Sequence, residues 1–195
     1  MSSAPLLHLA SSSPRRQEIL RALGLTFTAQ GADIDESRLD GETPEQMVLR
    51  LAAAKASAAV AAEGQLVLGA DTAVVLGGRV LGKPRDESDA VEMLLRLSGC
   101  THRVLTGVAL QTSAGSKVVV SATDVRFREI DRDEARAYWH SGEPRDKAGA
   151  YAIQGLGGMF VEAISGSYSG VVGLPVFETV NLLRAAGVTV LVNEE

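Results

Sequence analysis

Cysteine, histidine and aromatic residues are all scarce in this chain of 195 residues. The single cysteine, Cys100, excludes an internal disulfide and a cysteine-rich zinc cluster. The three histidines, His8, His102 and His140, are far apart in the sequence, so a histidine-rich metal site is not expected. Any bound metal is therefore expected to be a hard cation held by carboxylates.

A basic excess and long apolar runs are missing as well. The chain has 19 lysines and arginines against 24 aspartates and glutamates, a formal net charge of -5, which argues against a general nucleic-acid binder. No run of 18 apolar residues occurs, and the first segment has neither the basic start nor the apolar length of a signal peptide. We therefore expect a cytoplasmic location, with neither membrane nor nucleic acid as a partner.

The pattern of apolar residues predicts an α/β protein with a mixed sheet and flanking helices. Amphipathic helices alternate with strands, but short turns also join neighbouring strands, so parallel and antiparallel pairs are both expected. No linker or repeat interrupts the chain, which favours a single domain at 1–195. Helices are expected at 15–24, 43–64, 86–97, 131–139 and 174–186, and strands at 5–10, 26–29, 65–71, 73–76, 79–82, 102–112, 117–130 and 188–192.

A run of hydroxyl and guanidinium side chains, SSSPRR at residues 11–16, separates the first expected strand from the first helix. Free N–H groups at the start of a helix favour anions. Two arginines at the same end oppose the helix dipole unless an anion lies nearby. A phosphate site is one interpretation, and a serine N-cap followed by two solvated arginines is the other.

Asp71 closes an apolar strand, a common place for active-site acids in α/β sheets. The Gly77-Gly78 pair predicts a two-residue hairpin whose register would place Thr72 opposite Lys83 and Asp71 diagonally near that lysine. A carboxylate there could hold Mg²⁺ or accept a proton from water. It could equally cap a turn and form an ordinary cross-strand ion pair.

Three other polar residues are candidates for the same chemistry. Lys55 falls on the apolar face of its helix, where a lysine either extends along the core edge or points into a cleft. Glu36 stands in an acidic loop, where a solvated carboxylate is the simpler interpretation. Gln154 lies in the glycine-rich segment 142–158, which permits close backbone approach to a ligand. Taken together, the cations and carboxylates predict a site for a polyphosphate with a divalent metal.

Seven strings occur in order over nearly the whole chain: LASSSPRR, DIDE, RLAAAKA, LGADTAVVLGGRVLGKP, LSGCTHRVLTGV, SGEPRDKAGAYAIQG and GSYSGVVGLP. In them the sequence resembles the Maf family of nucleoside triphosphate pyrophosphatases, historically described as septum formation inhibitors. The resemblance implies hydrolysis between the α and β phosphates, giving a monophosphate and pyrophosphate. It also implies Mg²⁺ or Mn²⁺, a cytoplasmic homodimer, and two lobes around a central nucleotide cleft, as in ITPases.

The resemblance also assigns roles to particular residues. Asp71 matches the catalytic aspartate, which accepts a proton from the attacking water, and Glu36 joins it as a metal ligand. These assignments replace the simpler interpretations of Glu36 and Lys55. The phosphate-binding positions fall on Ser13, Arg15, Arg16, Lys55 and Lys83.

Three residues resemble the branch of the family that is associated with dTTP and UTP rather than with 7-methyl-GTP, namely Arg15, Thr72 and Gln154. The amide of Gln154 can donate and accept at once, which matches the imide edge of a pyrimidine. We therefore expect an enzyme that hydrolyses dTTP and UTP, with a role in cell division arrest. Two alternatives are a regulatory nucleotide-binding protein in septum formation with little hydrolysis, and a house-cleaning pyrophosphatase for ITP or XTP.

Overall fold

A computed structural model of the protein describes residues 6–62 and 64–190, in which seven strands form one mixed sheet. The strands are β1 (Leu7–Leu9), β2 (Phe27–Ala29), β3 (Leu66–Leu76), β4 (Arg79–Leu81), β5 (Thr101–Thr112), β6 (Gly115–Phe127) and β7 (Val161–Ser165). The α-helices are α1 (Pro14–Ala22), α2 (Pro44–Ala58), α3 (Glu87–Leu97), α4 (Arg132–His140), α5 (Tyr168–Val172) and α6 (Val176–Ala185). Three 3-10 helices lie at Glu143–Asp146, Ala148–Ala150 and Leu156–Phe160.

Strand β3 is the centre of the sheet and leaves part of one edge open. The strand order is β2-β1-β3-β5-β6-β7, with β1 parallel to both of its neighbours and the remaining pairs antiparallel. One edge of β3 pairs with β5 along residues 67–75. On the other edge, β1 pairs with residues 66–68 and β4 with residues 74–76. None of the described strands pairs with residues 69–73 on that second edge, so a gap opens between β1 and β4.

Helix α2 lies close against the sheet because two strand positions are glycine. A Cβ at Gly69 would lie 2.2 Å from the carbonyl oxygen of Ala52, and one at Gly107 would lie 2.3 Å from that of Val48. The helix buries Val48 and Leu51 against β3 and β5. The opposite face of β3 packs through Leu68 and Ala70 against α1 and α6. Alternate residues of β3 therefore face different helices, as the period of a strand requires.

Several expectations about the fold are confirmed. The sheet is mixed, and the hairpin register matches, with Leu76 opposite Arg79. Helix α2 begins where it was expected, with a capping box between Thr43 and Gln46. Among the described residues, none of the helices is both long and apolar enough to cross a membrane.

Several expectations about secondary structure are wrong. Strand β3 continues through Asp71 to Leu76 instead of closing there, and β4 ends at Leu81, before it could align Lys83 with Thr72. Helix α2 ends at Ala58, well before Gly64, in extended backbone at Ala59. No strand forms over residues 188–190, and residues 191–192 of that expected strand lie outside the described residues. Strand β7 was not expected, because all its residues are at least partly exposed and lack a buried face.

Candidate active site

A cleft of about 360 Å³ lies at the gap in the β3 edge. The segment after β1, the start of α1, residues of β3, and the turn containing Gln154 all contribute to its wall. Every residue that the sequence singled out as part of the site lines this one cleft, although the positions are spread over most of the chain. They are Ser13, Arg15, Arg16, Glu36, Lys55, Asp71, Thr72, Lys83 and Gln154.

Lys55 joins the two candidate carboxylates at the base of the cleft. Its Nζ lies 2.7 Å from Oδ1 of Asp71 and 2.7 Å from Oε1 of Glu36. Lys55 and Asp71 are only 9% and 7% exposed, respectively, so both charges are largely removed from water. The sequence-based pairing of Asp71 with Lys83 is wrong: no ion pair joins these two side chains in the described structure, and Lys55 replaces Lys83. Packing of α2 against β3 produces this contact, which no local pattern specifies.

The surroundings shift the two carboxyl groups in opposite directions. Burial raises the pKa of Asp71 above its ordinary value, although Lys55 and Arg16 partly offset the rise. Burial also acts to raise the pKa of Glu36, but the hydrogen bond and charge of Lys55 together with the charges of Lys83 and Arg16 outweigh it, so the pKa of Glu36 is lowered. Asp71 is therefore the more basic of the two carboxylates, which suits it to accept a proton.

The start of α1 faces the cleft with its first backbone N–H groups uncapped by a side chain. Ser13 is the N-cap residue, but its hydroxyl makes no capping hydrogen bond. Arg15 lies 3.6 Å from a carboxylate oxygen of Asp146, which also pairs with Lys147. Asp146 thus partly neutralises two cations on the wall. The N-terminus of α1 and Arg15 together form a surface that favours an anion.

All three guanidinium nitrogens of Arg16 donate hydrogen bonds to the protein. Its Nε donates to the carbonyl of Gly173 at 2.8 Å, and Nη1 donates to the hydroxyl of Ser11 at 3.1 Å. Its Nη2 donates to Oγ1 of Thr72 at 3.2 Å. These contacts fix the guanidinium plane, so Arg16 acts as a rigid charge in the wall rather than as a mobile side chain.

The hydroxyl of Thr72 belongs to a chain of hydrogen bonds whose direction the structure determines. The hydroxyl of Thr106 donates to the carbonyl of Gly170 at 2.7 Å and lies 3.0 Å from that of Thr72. Since each hydroxyl has one proton, Thr106 must accept from Thr72. Thr72 has then used its proton and offers only acceptor capacity on the cleft side, where Arg16 already takes one lone pair.

Comparison with known proteins identifies the family to which this chain belongs. The model of the Maf-like protein family matches residues 6–186. The chain belongs to the Maf family. Among curated relatives, the dTTP/UTP pyrophosphatase of Hahella chejuensis is 54% identical over 188 residues, which cover 94% of each chain. The dTTP/UTP pyrophosphatase of Anaeromyxobacter dehalogenans is 55% identical over 188 residues, covering 94% of this chain and 95% of that one.

A structural comparison gives a weaker likeness. The Staphylococcus aureus Ham1 protein aligns with 62% of this chain and 71% of its own, with a TM-score of 0.44 and 17% sequence identity. That degree of similarity is too low to bear on the activity of this Maf protein.

Two cleft residues of this Maf protein are available to a ligand. Lys83 is exposed and has no hydrogen-bonding or ion-pair partner in residues 6–62 and 64–190. The side-chain amide of Gln154 likewise makes no hydrogen bond within those ranges, and it is exposed. Both groups can therefore bind a substrate without first breaking a contact with the protein.

The sequence analysis did not predict the residues that orient the side chains of this site. Thr106 is 1% exposed and orients Thr72, but nothing in the sequence assigns it a role. Its one signal is a hydroxyl within the otherwise apolar strand VLTGVAL. Ser11 was expected only as part of a segment that binds phosphate or caps the helix, whereas its hydroxyl accepts a hydrogen bond from Arg16.

Proposed function

We propose that this protein hydrolyses dTTP and UTP to the monophosphate and pyrophosphate. The observation that carries the proposal is the single cleft in which two carboxylates, Asp71 and Glu36, share Lys55 beside further cations. The names of the relatives favour a pyrimidine triphosphate over ITP or XTP, and they favour hydrolysis over a purely regulatory role. Positioning and electrostatics carry most of phosphoryl chemistry, and this cleft supplies both.

In the proposed mechanism, the start of α1, Arg15 and Lys83 bind the triphosphate. Arg16 holds a fixed positive charge on the wall of the cleft, where it stabilises the negative charge that develops in the transition state. Asp71 orients the water and accepts its proton, helped by the raised pKa that burial gives it. Lys55 holds the Asp71 carboxylate in place and limits the rise in its pKa.

The donor set also fits a divalent cation, and we propose Mg²⁺ or Mn²⁺. Glu36 and Asp71 supply hard carboxylate oxygens, and Lys55 contacts only one oxygen of each. No group of three or more metal-binding side chains is found in the described residues. Proteins usually bind Mg²⁺ through one or two carboxylates, and the substrate phosphates complete its coordination. When bound, the cation neutralises phosphate charge and lowers the pKa of a coordinated water.

The direct test is pyrophosphate release from dTTP, UTP, CTP, 7-methyl-GTP and ITP, with Mg²⁺, with Mn²⁺ and without metal. Asp71→Asn is expected to lose about 10²-fold or more in kcat, the range for removal of a general base, while remaining folded. Asp124→Asn is the matched control, since Asp124 is on β6 and pairs with Arg103 outside the cleft. Near-normal turnover by Asp71→Asn would reject its role, and no turnover of dTTP or UTP by the wild type would reject the function.

A homodimer in the cytoplasm remains part of the proposal, as the resemblance implies. Size-exclusion chromatography with light scattering measures the subunit number directly. A monomer at micromolar concentration would contradict the dimer and leave the proposed reaction unaffected.

A further inference from the structure

The turn containing Gln154 is held from behind by two side chains that do not line the cleft. The hydroxyl of Tyr138 accepts from the N–H of Ala152 at 3.1 Å, just before Gln154. The carboxylate of Glu143 accepts from the N–H of Leu156 and of Gly157, each at 2.9 Å, just after it. The turn itself closes through the N–H of Gly155, which donates to the carbonyl of Ala152. Three backbone N–H groups around Gln154 are thus satisfied by side chains.

The two side chains act as one unit that is fixed to the core. The hydroxyl of Tyr138 donates to Oε1 of Glu143 at 2.5 Å. Tyr138 is 4% exposed, and its ring packs edge-to-face on Phe160, with ring centroids 5.1 Å apart. The network is charge-assisted and buried on the Tyr138 side, so each hydrogen bond in it restrains the others, and removing one member leaves polar groups unsatisfied.

The backbone of this turn fits against the pair so closely that side chains are excluded. A Cβ at Gly155 would lie 2.0 Å from Oε2 of Glu143, and one at Gly157 would lie 2.5 Å from the hydroxyl of Tyr138. The glycines therefore serve a specific purpose here, which is to let the turn approach the carboxylate and the phenol. The exposed amide of Gln154 then projects from a turn whose backbone cannot easily shift.

We propose that Tyr138 and Glu143 are positioning residues that fix the backbone from which Gln154 reaches the pyrimidine base. The inference rests on the proposed function, and it adds two residues to the specificity machinery. Neither residue touches the substrate, and both act through the backbone on either side of Gln154. Loosening of the turn should therefore weaken base recognition and leave phosphate binding intact.

The test compares Glu143→Gln and Tyr138→Phe with the wild type. Loss of a hydrogen bond that positions a contact is worth about a factor of ten. We expect KM for dTTP and UTP to rise about 10-fold with little change in kcat, because base binding is the same in the ground and transition states. Competitive inhibition by inorganic tripolyphosphate, which has no base, should stay within about 2-fold of the wild type, since its contacts do not involve this turn.

A double-mutant cycle with Gln154→Ala separates positioning from a general loss of structure. If Glu143 acts through Gln154, Glu143→Gln should change KM by less than about 2-fold in the Gln154→Ala background. Glu134→Gln is the control, since Glu134 caps the same helix as Tyr138 but pairs with Arg128, away from the cleft. If Glu143→Gln fails to fold, Tyr138→Phe, which keeps the packed ring, decides the outcome.

The outcomes distinguish this inference from the proposed function. An active wild type whose Glu143→Gln and Tyr138→Phe variants keep the KM for dTTP overturns the positioning role alone. Equal losses for dTTP and tripolyphosphate also overturn it, because they indicate general damage to the cleft. A wild type that does not hydrolyse dTTP or UTP overturns both proposals.

Discussion

The close approach of α2 to the sheet can be tested at Gly69. In Gly69→Ala, the new Cβ would lie 2.2 Å from the carbonyl oxygen of Ala52 and 2.7 Å from the N of Ala56. Real Cβ atoms do not come within 3.0 Å of such atoms, so the helix must move away by about 0.8 Å. Both neighbours are helix backbone, which cannot rotate aside as a side chain would.

The energetic cost of this movement should be measurable. Overpacking in a dense core costs about 2 kcal/mol, which for a protein of this size lowers Tm by roughly 4–8 °C. Gly82→Ala is the matched control, because a Cβ at Gly82 meets no atom within 4 Å. Its Tm should stay within about 1 °C of the wild type, since surface changes away from special features are nearly neutral.

The same movement should reach the candidate active site. Lys55 is on α2 and Asp71 is on β3, so their 2.7 Å contact spans the two elements that the substitution separates. A displacement approaching 1 Å in a catalytic arrangement can cost about 10²-fold in rate. Thermal unfolding and dTTP hydrolysis by Gly69→Ala together test the argument. A Tm equal to that of Gly82→Ala would refute the packing argument, and a lowered Tm with full activity would refute its link to catalysis.

Three further predictions concern phosphate binding, metal and pH. Lys83→Met should raise KM for dTTP about 10-fold, because a cation that binds phosphate is lost, and it should not lower Tm, because Lys83 has no partner among the described residues. Lys117→Met on β6 should leave KM unchanged. Equal KM values for the two variants would contradict phosphate binding by Lys83. Chelation with EDTA should stop hydrolysis and added Mg²⁺ should restore it, while activity that survives chelation argues against the proposed cation. Burial lowers the pKa of His102 from 6.5 to about 4, so the unfolded chain binds a proton between these values and the folded protein does not. In urea unfolding, His102 should contribute a loss of about 3 kcal/mol in stability from pH 6.5 to pH 4, and His102→Gln should reduce the total loss by about that amount. Parallel pH profiles for the two proteins would contradict this assignment.

Local signals were sufficient to predict the hairpin and the helix starts. Gly77 and Gly78 have φ values of 55° and 78°, which suit glycine and fix the two-residue turn between β3 and β4. Helix α4 likewise begins where it was expected, and the capping box of Asp131 and Glu134 joins residues only three positions apart. Each of these features joins residues at most a few positions apart, so the sequence contains the whole interaction.

Contacts between distant elements were not predictable in this way. The hairpin register predicted that Asp71 lies near Lys83, because strand pairing was the only contact between distant residues that could be predicted from the sequence. The true partner, Lys55, comes from a helix whose distance from the sheet depends on Gly69 and Gly107. These two glycines carry no local turn signal, so their effect on the site is visible only in three dimensions.

The open edge of β3 explains how two adjacent residues serve opposite walls of the cleft. Successive side chains of a strand point to opposite faces, so Asp71 meets Lys55 of α2 while Thr72 meets Arg16 of α1. Because no described strand covers residues 69–73 on this edge, both side chains still reach the same cleft. A shift of β3 by one residue would exchange the two faces, placing a carboxylate beside Arg16 and leaving Lys55 without Asp71. The nine-residue pairing of β3 with β5 at 67–75 opposes such a shift, so the antiparallel half of the sheet sets the geometry of the proposed catalytic centre.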